Sequence, residues 1–333
     1  MNVLVTGAPG WLGTRLIEIL CSGGNSYPRI SVDTVRCLVQ PGMDTSSLSG
    51  IGVEIVQADL TMEHDFDSCL ERTDLVFHLA GIIHPRRVRD LYALNTNGTR
   101  RLLEACLRSG VKRFVYVSSN SAGGVNSAPD LLLDERSASP YGHYGRSKRL
   151  AEQAVLQASS RGGIEGVVLR PCWFYGPGQP ERQTRFFKMI RSGHPVLFGN
   201  GEYLRSMSYI DNTVQGLLLA AVSPKASGQI YWISDKKTYR VNEIYRTIAK
   251  LLGVTNLRPR RLPEPVSRAC GLADICLQAL GLYIPEIHVA GEMVEHIACS
   301  IDKAETELGY SPDITLEEGM RRSIDWCLCR NLL

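Results

Sequence analysis

Short apolar runs alternate with longer stretches of helical periodicity through the first half of the chain. Residues 3–6, 34–40, 53–58, 75–79, 114–118 and 167–169 are rich in Val, Ile, Leu and Phe, the pattern of strands buried on both faces by helices. Between them, residues 11–21, 91–108 and 144–160 read as helices, the first stopped by Gly23-Gly24 and the last by Gly162-Gly163, since glycine ends helices cheaply. Six strands alternating with helices predict an α/β fold, a Rossmann-type doubly wound parallel sheet with right-handed crossovers. The texture changes after Pro171. Tyr175-Gly-Pro-Gly178 reads as a turn, then come a helix over 181–192, a strand over 196–198, a helix after Asp211, a strand over 229–233 and a helix from Val241. This predicts a dinucleotide-binding domain over 1–171 and a smaller mixed α/β substrate domain over 172–333, partly interwoven with the first. Residues 263–300 are apolar in patches. They read as helices lining or lidding a pocket, with a core-facing pair or peripheral membrane contact as alternatives.

Composition narrows the class. The 333 residues are 44% hydrophobic with a net charge of +3, which gives neither a nucleic-acid stripe nor a polybasic membrane patch. No uncharged apolar run approaches the length of a spanning helix, so stable membrane insertion is not expected. A strand beginning at Asn2 leaves no room for a leader, which predicts a cytoplasmic protein. The ten cysteines are dispersed, as free thiols in a reducing compartment are. Cys327-Leu-Cys329 lacks a second pair and the seven histidines lack ligand spacing, so no metal is expected.

Two motifs carry chemistry. Gly7-Ala-Pro-Gly10-Trp11-Leu12-Gly13 sits between the first strand and the first helix. Gly7 permits the turn, Gly10 a close approach of pyrophosphate, and Gly13 tight helix–strand packing. The helix N-terminus at Trp11 and Leu12 then offers free N–H groups to phosphate. Tyr144-Gly-Arg-Ser-Lys148 puts a phenol and an ammonium on one helix face. The charge of Lys148 favours the phenolate, so Tyr144 can take a proton from an alcohol or return one to a ketone as hydride moves. An acid at the end of the second strand would select NAD, and an arginine there NADP. Gln40 occupies that end and Arg36 lies inside the strand. NAD is expected, with NADP as the alternative.

The Gly-x-x-Gly-x-x-Gly spacing, Tyr144 with Lys148, and the strand Phe114-Val-Tyr-Val-Ser-Ser119 together resemble the extended short-chain dehydrogenase/reductases, in particular the NAD-dependent epimerase/dehydratase family. The resemblance runs through Ala58-Asp59-Leu60, His78-Leu79-Ala80-Gly81, Asn95-Thr-Asn-Gly98-Thr99, Leu169-Arg-Pro171, Gly199-Asn-Gly-Glu-Tyr-Leu-Arg205 and Leu308-Gly-Tyr310. It implies that Ser119 holds the substrate oxygen beside Tyr144, with Ser121 as the fallback. It also implies that Asp59 and Leu60 lie at the adenine, Leu79, Ala80 and Gly81 at the ribose, and Asn95 and Pro171 along the cofactor. His84, Ser119, Asn120, Ser121, Tyr144, Trp173 and Arg205 fall on the substrate side. Helix pairing into a homodimer is implied by the same analogy.

Substrate class divides this family. Asn120-Ser121 stand where the sugar dehydratases carry two acids, which argues against dehydration. Trp173 replaces an asparagine of the nucleotide-sugar enzymes and resembles the hydroxysteroid dehydrogenase branch; core packing is the other reading of it. Arg205 matches a diphosphate-binding arginine, to which Arg182 and Arg185 would add. The balance predicts a small-molecule nucleotide sugar and C4 epimerisation of a UDP- or dTDP-sugar through a transient ketone. The alternative is a 3β-hydroxysteroid dehydrogenase-like oxidoreductase or ketoreductase.

Overall fold

The computed structural model describes residues 1–22, 30–62 and 66–333. Its centre is a parallel sheet of seven strands. The first six are β1 (Asn2–Thr6), β2 (Thr34–Val39), β3 (Glu54–Gln57), β4 (Leu75–His78), β5 (Arg113–Val117) and β6 (Glu165–Pro171), and the seventh is Ile230–Ile233. Across the sheet the order is β3-β2-β1-β4-β5-β6 and then Ile230–Ile233. The order reverses beside β1, and that switch point opens a crevice at the carboxyl ends. Alternate residues of each strand enter opposite layers. Val3 and Val5 pack with Val35, Phe77 and Val115 on one face; Leu4 packs with Leu38, Val76 and Phe114 on the other.

The parallel sheet is as expected, but the chain beyond residue 172 contributes to it. Ile230–Ile233 pairs with β6, Tyr231 opposite Leu169. The helix Ile210–Val222 lays Val214, Leu217 and Leu218 on the layer shared with Leu16 and Ile17 of the first helix, α1 (Trp11–Ser22). Strand 229–233 is apolar on both faces, and only a central sheet buries both. The expected stop at Gly23-Gly24 lies outside the described residues.

The second half builds a third cluster around Tyr175, Phe187, Tyr209, Ile248, Met320 and Ile324. Helices Glu181–Arg191, Val241–Leu251 and Leu316–Cys329 carry most of it. Trp173–Tyr175 pairs in parallel with Met207–Tyr209, which brings the continuation of β6 beside the 200–210 segment. The expected helical stretch 91–108 is helical throughout, but Tyr92–Gly98 is wound as a π-helix between Val88–Leu91 and Thr99–Arg108.

One long helix, Gly142–Ser160, carries both candidate catalytic residues. It is locked to β6 through Glu152, whose carboxylate takes Arg170 Nε and Nη2, each at 2.8 Å. Both side chains are fully buried. Arg170 also donates to the Ser137 carbonyl and faces the Trp232 ring. Replacing Glu152 by Ala strands a buried guanidinium, so we expect a loss of about 3–5 kcal/mol in urea unfolding. The double replacement Glu152→Leu with Arg170→Met, which removes both charges, should lose clearly less.

Candidate active site

The glycine loop joins β1 to α1. Gly7 has φ +85°, and a Cβ there would stand 2.6 Å from the Leu79 carbonyl carbon; one on Gly13 would stand 2.6 Å from Gly7 O. The loop therefore passes between β4 and α1 only because it has no side chains at these points. Gly10 N–H closes it onto Gly7 O at 2.9 Å. The first-turn N–H groups at Trp11, Leu12 and Gly13 have no place in the intrahelical ladder and face the carboxyl end of the sheet. The Trp11 side chain turns elsewhere: its indole N–H donates to Pro177 O at 2.6 Å, tying this loop to the Tyr175–Gly178 turn.

At the far end of the crevice Gln40 Nε2 reaches Asp59 Oδ2 at 3.2 Å. Asp59 also accepts the Thr61 N–H and hydroxyl. These bonds outweigh its partial burial and lower its pKa. Leu60 is buried beneath Gly98. Arg36 requires a correction, because it does not reach this end. It sits opposite Leu4 and Glu54 in the register, and its guanidinium is held by Glu54 and the carbonyls of Cys69 and Glu71.

Beyond β4 the Leu79 and Ala80 N–H groups bind Thr6 O and Oγ1. His78 bridges Thr6 Oγ1 (2.7 Å) and Thr99 Oγ1 (2.8 Å) and is 1% exposed. Burial, with the nearby Lys148 charge, pushes its pKa down to about 3, so the ring is neutral. Asn95, in the π-wound turn, clamps Ile82 at both N–H (2.9 Å) and O (3.0 Å) and donates to Ser147 Oγ at 3.1 Å. The extra residue of a π-turn is a common way to aim a side chain at a functional site. A Cβ on Gly81 would come within 3.2 Å of Asn95 Oδ1 and 3.4 Å of Lys148 Nζ. This bare backbone is a cradle that a dinucleotide fits: glycine loop, Gly81, Asn95 and Lys148 form one continuous wall.

Ser119 caps the short helix Asn120–Gly123 by accepting the Ser121 N–H at 3.3 Å, and its hydroxyl lies 3.2 Å from Asn120 Oδ1. It lies near the Tyr144 phenol and favours that group's ionised form. The catalytic helix comes this near because of Gly145, where a Cβ would stand 2.2 Å from Ser121 O. Lys148 is 3% exposed, donates to Val117 O at 2.7 Å and lies over the Tyr116 ring at 4.6 Å. Burial lowers its pKa to about 7 against the pull of Glu152. Burial raises Tyr144; the nearby Ser119 hydroxyl and the Arg182 charge act the other way. Ser119, Tyr144 and Lys148 are thus brought together, with Asn120 and Ser121 buried beside them and Pro171 closing β6.

The remaining substrate-side residues divide. His84 faces Tyr283, ring to ring at 5.9 Å, and burial holds its pKa near 4. Trp173 is half-buried, with Arg205 5.0 Å over its ring. Arg205 differs from expectation. It is fully buried and donates to the carbonyls of Leu204, Glu292, Met293 and Glu295. Only Nε is unpaired. Arg185 pairs with Glu181 on its own helix. Arg182 is exposed and has no hydrogen bond or ion pair among the described residues, and its charge acts on Tyr144, Tyr283 and His84.

Sequence reasoning missed a buried group behind this mouth. His288 Nδ1 meets Asp274 Oδ2 at 2.7 Å and Nε2 lies 3.4 Å from Glu292. Gln278 joins Asp274 and accepts the His143 N–H at the start of the catalytic helix. Nothing in the spacing of these four residues announced them, since they meet only when two helices fold together. The two carboxylates overcome burial and hold His288 up to about 9.

A neutral histidine, a buried lysine and a phenol at the switch point of such a sheet define an NAD(P)-dependent enzyme of the extended short-chain dehydrogenase/reductase type. The chain belongs to the 3-beta hydroxysteroid dehydrogenase/isomerase family, whose model matches residues 4–264. The uncharacterized protein y4nL of Sinorhizobium fredii is 43% identical over 98% of this chain and 95% of its own length. A UDP-glucose 4-epimerase of Vibrio cholerae is 27% identical over 97% of this chain and 94% of its own. The fold is also that of a UDP-glucose 4-epimerase of Thermotoga maritima solved with UDP-glucose, with a TM-score of 0.78 at 22% identity, covering 100% of both chains.

Tyr144→Phe should lower kcat by about 10²–10⁴-fold while dinucleotide binding persists in fluorescence titration. The pH sign follows from the Tyr144–Lys148 pair. With Lys148 at about 7, the pair loses its first proton near neutrality. Alcohol oxidation, which needs the base form, should rise with pH through that region, and ketone reduction should fall. Lys148→Met should move both limbs upward. His288 gives a separate effect. Its pKa is raised to about 9, so its contribution to stability is complete below its unfolded value and is lost as pH rises through 9. Thermal midpoints should fall over that interval in the wild type and less so in His288→Gln.

Proposed function

We propose that the protein is an NAD(P)-dependent oxidoreductase that interconverts a secondary alcohol and a ketone on a compact apolar substrate, with Tyr144 as proton donor and acceptor. The carrying observation is the state of Arg205. The guanidinium expected to hold a diphosphate is committed to four carbonyls, and moving it would strand buried acceptors, each a cost of about 1–3 kcal/mol. The half-buried ring of Trp173 supports the same reading, as does the family to which the chain belongs. The residues from Gly7 to Lys148 would hold the dinucleotide, with Gln40 and Asp59 at the adenosine end. The absence of a cation at the end of β2 supports NAD over NADP. When bound, the nicotinamide supplies or accepts the hydride. Ser119 orients the reacting oxygen, Tyr144 moves its proton, and Lys148, held by Val117 O, sets the Tyr144 proton affinity. Asn95 fixes the loop against which the cofactor lies.

A second reading, C4 epimerisation of a nucleotide sugar, is favoured by Arg182, whose guanidinium is unpartnered among the described residues, suits a diphosphate and acts on Tyr144 by its charge, and by the Vibrio cholerae relative. The two readings part on cofactor turnover. We expect the purified protein to release little NAD on denaturation and to exchange added NADH within each cycle, with stoichiometric loss of NADH absorbance against hydrophobic ketones. Near-stoichiometric released NAD, together with inversion of UDP-sugars at C4 and a rise of about tenfold or more in KM for Arg182→Ala, would instead establish the epimerase.

A further inference from the structure

The hairpin of helices Glu264–Ala279 and Pro285–Glu292 is built inside out. Its buried side carries Ser267, Asp274, Gln278, His288 and Glu292, which bond to one another and to backbone carbonyls. The two helices touch at glycine, where a Cβ on Gly291 would stand 2.8 Å from Gly271 Cα. The solvent side is apolar: Leu272 is 67% exposed, Ile275 66% and Leu280 77%, with Val266, Leu282 and Val289 beside them. Among the described residues, seven of the eighteen exposed large apolar side chains lie in this hairpin. A helix pair on a water-facing surface has the opposite arrangement. A contiguous outward apolar face of this kind marks a contact with another apolar phase.

The rim identifies that phase. Arg87 is bridged antiparallel to Leu282, and Val88 N–H bonds Gly281 O at 3.1 Å. The run Arg86-Arg87-Val88-Arg89 is therefore fastened to the tip that carries Leu280. Among the described residues Arg86 and Arg87 make no ion pair, and Arg89 meets Asp90 alone, at 3.8 Å. On the hairpin's exposed side Arg268 is paired with Glu264, which leaves Glu286 as the unpaired acid. An apolar tip flanked along one edge by unpaired guanidinium groups matches an anionic phospholipid surface, acyl chains meeting the leucines and headgroups the arginines. A second copy packed tip to tip about a twofold axis through this edge would bring the same arginine cluster against itself. We infer that this hairpin docks the protein on anionic bilayers, lying in the interface, with the His84–Tyr283 mouth of the site turned toward the lipid.

The inference does not depend on which reaction the site performs. The full chain should float with phosphatidylglycerol/phosphatidylcholine vesicles, much less with phosphatidylcholine alone, and dissociate in high salt. Leu280→Asp with Leu282→Asp, and separately Arg86→Glu with Arg87→Glu, should each weaken partition at least about tenfold with thermal midpoint and dinucleotide binding unchanged. No flotation with anionic vesicles, or flotation indifferent to both variants, overturns the proposal. So does a wild-type dimer that ignores vesicles and that the leucine variant dissociates.

Discussion

The Glu152–Arg170 pair is the constraint from which the site hangs. It is the one fully buried ion pair among the described residues, and it joins the catalytic helix to the strand that ends at Pro171. Glu152 lies one turn beyond Lys148 and two beyond Tyr144 on the same helix, so the pair sets both the azimuth and the height of the catalytic face above the sheet. Its charge also reaches Lys148, where it opposes the effect of burial. A hydrophobic contact would hold the helix as firmly but would not specify its rotation.

Around that anchor, polar groups are positioned mostly by backbone. Lys148 is held by a strand carbonyl, Asn95 by the peptide of Ile82, and Ala80 by a threonine hydroxyl. His78, between two threonines, is neutral and does not change charge near pH 7. It is a spacer that joins β1, β4 and the helix at Thr99. Each of these groups is held by partners within the chain, which fixes its orientation in advance.

The sheet and the placing of the two motifs on a strand–helix turn and on one helix face were legible because their rules are local. Doubly buried strands are continuous apolar runs, and the glycine loop and Tyr144–Lys148 are spaced by turn and helix geometry. The substrate side was not. Arg205 and Arg182 have the same chemistry in sequence, yet one is spent on the carbonyls of residues 292–295 and the other has no partner among the described residues, and only packing between distant segments decides which. Arg36 was set aside by strand register. The cluster of Asp274, Gln278, His288 and Glu292 escaped notice because its helices invert the usual pattern, burying the polar positions that a periodicity reading assigns to water.

Gly145 has a consequence for how such an enzyme changes. Because residue 145 has no side chain, the catalytic helix rests directly on the peptide at Ser121, and Tyr144 and Ser119 are referenced to each other through main chain. The spacing between the Tyr144 and Ser119 hydroxyls is then set by main chain rather than by the rotamers of the 173–205 segment, and the hairpin meets this first turn through Gln278 at the His143 N–H. Pocket and chemistry can drift separately, and one proton-transfer geometry can serve sugars or sterols while only the surrounding walls are rebuilt.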